Sequence, residues 1–243
     1  MRFGLVLVTA AFVFFVAFVA WLLPYRTEEG AERVPRALRW SLPCFGAALA
    51  LGSMLVLDAL IEQLGTMSAT YTLLIPAMLA GAAGSRLLVD VRHVGRRSVA
   101  GSVANDPEVP VVPVRGVLLT GVVSMGAVLP FAFGDPLVAT AIHAVPGLEL
   151  VSAGIVALLV GAAVGYPMAA GLRAVGAISS VAAAASWGAH RAGWVVGVAG
   201  AAVLARSVGV SALGLLASAV MSLGMVLFLV GARQLSESST ALQ

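Results

Sequence analysis

Apolar runs long enough to cross a lipid bilayer recur along this 243-residue chain, and no other feature constrains its fold as tightly. Hydropathy places clear spans at roughly 3–24, 40–62, 67–88, 114–133, 148–171 and 209–232. About 20 helical residues cross the ~30 Å hydrocarbon core. Hydrocarbon offers no water to backbone N–H and C=O groups, so each such run must close its hydrogen bonds within itself, as a helix. Charged types are only 10% of the chain and mean hydropathy is +1.04, whereas a soluble domain carries about 25% charged residues. The expected fold is all-α: a polytopic integral membrane helical bundle.

The number of spans turns on 174–206. Two apolar stretches, 174–189 and 192–205, are split there by His190 and Arg191. Each is only about 21–24 Å long as helix, short of the ~30 Å core. Two short spans meeting at an interfacial His-Arg turn give eight in total. One span, roughly 185–206, gives seven, which is the reading preferred. On that reading 1–233 form a single transmembrane domain and 234–243 a flexible polar tail. The first run is longer than a signal-peptide core and is read as a retained span.

Arginine placement orients the bundle. The segment 25–39 carries Arg26, Arg33, Arg36 and Arg39, and 86–115 carries Arg86, Arg92, Arg96, Arg97 and Arg115. The segments after the second and fourth spans hold only Glu62, Asp135, His143 and Glu149. By the positive-inside rule both Arg-rich loops are cytoplasmic and the N-terminus is outside, in a cell membrane.

All 14 basic residues are Arg. Without Lys there is no retinal Schiff base and no Walker-type phosphate loop. Cys44 is the one cysteine, so no intrachain disulfide forms, and its expected role is packing. His93, His143 and His190 fall in or beside three different inter-helix segments and match no haem or zinc pattern. No cofactor is expected. The Arg excess reads as topology rather than nucleic-acid binding. Glu28, Glu29, Glu32 and Arg33 fit the EExxxR signature of CAAX-type intramembrane proteases, but the FxxxH histidines of that family are missing, so the match is set aside.

Asp58 and Glu62 are the candidate ion or proton site, because they share one helix face and carboxylates within spans are costly. Asp58 lies about 28 Å along the helix from Arg39, close to the outer headgroups, where both groups are solvated. Gly116, Thr120 and Ser124 line one face of the fourth span, and Gly214, Ser218 and Ser222 one face of the last. Gly161/Gly165 and Gly193/Gly197 add two GxxxG pairs. Such faces let helix backbones approach closely, and their hydroxyls are candidates for lining a permeation path. Pro76 and Pro167 are candidate kinks. Segments 116–129 and 214–227 match at seven of fourteen positions at an offset of 98, a hint of a repeat.

The leading expectation is a small transporter, channel or permease-type protein moving a small solute or ion. The alternative is a non-catalytic subunit of a larger membrane complex, for example beside an ATPase or redox complex. A lipid-acting membrane enzyme and a chromophore-less seven-helix sensor rank lower. Expected partners are the lipid bilayer, further copies of the chain or other membrane subunits, and not nucleic acid.

Overall fold

The structure, a computed structural model, describes residues 34–65, 72–87, 114–133, 136–176, 180–207 and 209–240. Within these residues every regular element is a helix: α1 Arg36–Leu64, α2 Thr72–Leu87, α3 Val114–Ala132, α4 Pro136–Ile142, α5 Glu149–Gly176, α6 Ser180–Ser207 and α7 Val210–Thr240. Four stretches are long and apolar enough to cross a membrane: α1, α3, α5 and the Ser211–Leu235 portion of α7. The expected span 3–24, the segment 28–33 and the loop 90–113 lie outside the described residues.

α1 stops where Gly65 takes a left-handed conformation, φ 66°, and its N–H closes on the Ile61 carbonyl at 2.9 Å. A side chain would be strained there. Gly209, φ 97°, plays the same part between α6 and α7, its N–H donating to the Leu204 carbonyl at 3.2 Å. These two glycines end long helices with little intervening chain before the next.

α1 is the central helix and packs against α3, α5, α6 and α7. Its buried positions, among them Leu38, Leu42, Phe45, Leu51, Leu55 and Leu60, point in several directions, as a helix surrounded on most sides requires. Phe45 meets Phe228 of α7 with ring centroids 6.4 Å apart. The outer surface is also apolar: Leu79 is 64% exposed and Leu119 67%. Leu and Val outside with Gly, Ala and Ser at many contacts is the pattern of helices solvated by lipid, where close van der Waals fit drives association.

Contacts between glycines and their neighbours fix the helix directions. Gly193 and Gly197 of α6 abut Pro43 and Ala47 of α1, so these two helices run parallel. Gly224 and Gly231 of α7 abut Phe45 and Leu38 of α1, so α7 runs antiparallel to it. Gly214 and Gly121 pair Ala132 of α3 with the start of α7 and Met225 with its middle, making α3 parallel to α1. Gly171 of α5 meets Leu42, and Gly154, Gly161 and Gly165 meet Leu73, Met78 and Ala82 of α2. Thus α2 and α5 are parallel to each other and opposed to α1. Leaving aside the seven-residue α4, the helices alternate in direction along the chain.

Alternation gathers most of the described arginines at one end. Arg36, Arg39, Arg86, Arg115, Arg173, Arg191 and Arg233 all lie toward the end where α1 begins, while Asp58, Glu62 and Glu149 lie toward the other. Arg206 is placed near the far end of α6.

Over 174–206 the alternative of two short spans meeting at a His-Arg turn falls away, since α6 runs unbroken through His190 and Arg191 as one helix; the placing of His190 in or beside an inter-helix segment is what needs correcting. Consecutive helical positions point about 100° apart, so His190 faces α1 while Arg191 faces out, and no break is required. Of the segment 234–243, expected as a flexible polar tail, the described part continues α7 as helix to Thr240, with Arg233 paired to Glu237 at 2.8 Å one turn on.

Candidate functional site

Where α1, α3, α5 and α7 converge they leave a cavity of about 10 Å³, close to the volume needed for a single water. It is lined by Ala48 of α1, Ser124, Met125 and Val128 of α3, Val164 of α5, and Ala217, Ser218 and Met221 of α7. Small side chains at Ala48 and Ala217 open the space, and the flexible thioethers of Met125 and Met221 shape its walls.

The hydroxyls differ in how they are held. Ser124 Oγ donates to the Thr120 carbonyl at 2.6 Å, Thr120 Oγ1 to the Gly116 carbonyl at 2.7 Å, and Ser222 Oγ to the Ser218 carbonyl at 2.8 Å. A helical Ser or Thr in hydrocarbon satisfies its proton on its own preceding turn in this way. Ser218 Oγ is different: it is buried and has no hydrogen-bond partner. An unmatched buried hydroxyl costs roughly 1–3 kcal/mol, so this atom is where a bound water or solute would gain most.

The structure therefore brings Ser124 and Ser218 together on one cavity, and leaves Thr120 and Ser222 off it. Gly116 and Gly214 serve close packing, against the Tyr166 ring and against Ala132 with Leu55. Pro167 is buried in α5 within a turn of Val164, whereas Pro76 is exposed on α2. Asp58 and Glu62 are both exposed, on the far end of α1, and neither borders the cavity. Cys44 is half-buried beside Gly224 at the α1–α7 contact.

No protein-family model, curated protein or solved structure matches the chain.

What the cavity can do follows from its lining. It carries hydroxyls and thioethers, with no carboxylate or imidazole to move a proton. Among the described residues no three His, Cys, Asp or Glu side chains cluster as metal ligands. The arrangement has room for a single water-sized species beside the Ser124 and Ser218 hydroxyls.

His190 is the polar residue that sequence reading misplaced. It is 5% exposed, faces Gly46 of α1, stacks on Trp187 and leaves Nδ1 without a partner. Its signal was present in the spacing: Ser186, His190, Gly193 and Gly197 recur at helical intervals, which places all four on one face of α6, the face turned to α1.

Proposed function

We propose that the chain crosses the membrane seven times, N-terminus outside and C-terminus inside, as a self-sufficient bundle that moves a small solute or ion. The α1/α3/α5/α7 cavity is the constricted point of its path. The observation that carries this reading is the Ser218 hydroxyl, buried without a partner on a cavity at the junction of four helices. Evenly alternating helices with arginines gathered at one end support the orientation, the arginine end being cytoplasmic. Pro43 and Pro167 lie inside two of the four helices, and transporter helices are often interrupted at such residues near their sites.

The subunit reading rested on small-residue faces free to receive partner helices. Gly161 and Gly165 are covered by α2, Gly193 and Gly197 by α1, and Gly116 and Gly214 by α5 and α3. Each face that the sequence offered to a partner is closed within the chain, which favours self-sufficiency.

Flux assays test the proposal. The purified chain is reconstituted into vesicles and challenged with protons, monovalent ions and small neutral solutes in turn. We expect one class to exceed the rate of empty vesicles. Ser218→Leu, which fills the cavity, should slow that flux at least about tenfold, the effect of ~1.4 kcal/mol on a barrier. Folded protein with no flux of any class, or full flux in Ser218→Leu, contradicts the reading.

A further inference from the structure

Trp187, Arg191 and Trp194 stand at i, i+4 and i+7 of α6 and so form one stripe. Arg191 is exposed and Trp194 44% exposed, while Trp187 is half-buried against the core, so the stripe borders the face turned to α1 with Arg191 outward. The Arg191 guanidinium lies over the Trp187 indole, 5.0 Å from the ring centroid. On that same indole stacks the buried His190, centroids 5.8 Å apart, which holds the indole in place. Among the described residues Arg191 makes no ion pair. A guanidinium pre-positioned by an aromatic face, with no carboxylate of the described residues on its N–H fork, is suited to bidentate recognition of a phosphate.

Depth says where that phosphate comes from. His190 lies beside Gly46 and Gly193 beside Pro43, which puts Arg191 about one turn, ~5 Å, further along the bundle than Arg39. A cation there on an outward face extends back along the helix to the headgroups, and indoles favour that same interface. A ligand on the outer wall of a membrane helix arrives sideways, within the leaflet. We propose that Trp187, Arg191 and Trp194 form a binding site for the phosphate of an anionic phospholipid in the leaflet at the arginine end. This site is independent of the cavity and of any flux through it.

Indole fluorescence reads the site directly. Full-length protein with Trp21→Phe and Trp40→Phe keeps Trp187 and Trp194 as its only tryptophans. It is placed in bilayers containing either brominated phosphatidylglycerol or brominated phosphatidylcholine as quencher. One arginine near an anionic surface is worth about 1 kcal/mol, so brominated phosphatidylglycerol should associate roughly fivefold more strongly. Arg191→Gln should remove that preference, Arg86→Gln should keep it, and millimolar inorganic phosphate should leave it unchanged. Equal quenching by the two lipids in the parent protein overturns the proposal without any Arg191 variant. So does a preference that survives Arg191→Gln or is lost in Arg86→Gln. Competition by inorganic phosphate would assign the site to a soluble anion and overturn its lipid identity.

Discussion

Gly193 of α6 rests against Pro43 of α1 so closely that a Cβ on it would stand 2.7 Å from the Pro43 Cα and run into the Pro43 carbonyl. The obstruction is backbone, which cannot swing aside as a side chain can. Gly193→Ala should therefore destabilise the bundle by about 1–3 kcal/mol, the usual range for overpacking. Gly126 is the matched control: a methyl added there would meet nothing within 4 Å, and Gly126→Ala should cost nothing. Thermal unfolding in one detergent compares the two; equal midpoints would mean that the α1–α6 contact is looser than described.

His190 offers a test of burial. Its Nδ1 has no partner and its ring is enclosed by α1 and Trp187. Exchanging it for Leu removes an unmatched polar atom at similar volume, so His190→Leu should keep stability within about 1 kcal/mol of the parent or raise it. A loss beyond about 2 kcal/mol would show that the imidazole holds a hydrogen bond that matters.

Asp58 and Glu62 are exposed at the end of α1 opposite the arginines. Neutralising them, as Asp58→Asn and Glu62→Gln, should leave flux within about twofold of the parent, since neither charge borders the cavity and exposed charges act weakly through solvent. Loss of flux in either variant would move the path to the outside of α1.

The Arg233–Glu237 pair is 82% and 63% exposed, and a single i, i+4 pair of this kind is worth about 0.3–0.5 kcal/mol. Arg233→Gln should lower the unfolding midpoint by an amount near the limit of detection and remove its salt dependence. A large loss would mean that the polar end of α7 is held by more than this pair.

Much of the bundle was legible because lipid imposes a simple rule. Runs at 40–62, 67–88, 114–133 and 148–171 emerge as α1, α2, α3 and α5 with ends shifted by a few residues. α6 was harder because His190 and Arg191 lower local hydropathy, while the helix needs only one of its faces to be apolar. Gly116, Gly193 and their like announced close packing, but a glycine does not name its neighbour; only the fold shows that Tyr166 and Pro43 take those places. Ser124 and Ser218 were readable as polar positions within spans. That the Ser218 hydroxyl lacks a partner depends on the gap left by Ala48, Val164 and Ala217, which lie on three different helices, and no local pattern encodes it. The segments 116–129 and 214–227, alike in sequence, lie in α3 and α7, which pack on each other in opposite directions, Ser222 donating to the Met125 thioether at 3.2 Å.

Self-sufficiency is the central claim, and particle composition tests it most directly. The tagged protein is purified from its own membrane in mild detergent, and particle mass is measured together with the identity of every co-purifying chain. We expect a homogeneous particle built from this 24.6 kDa chain alone. A second polypeptide present in fixed stoichiometry would contradict it and make this bundle one component of a larger machine.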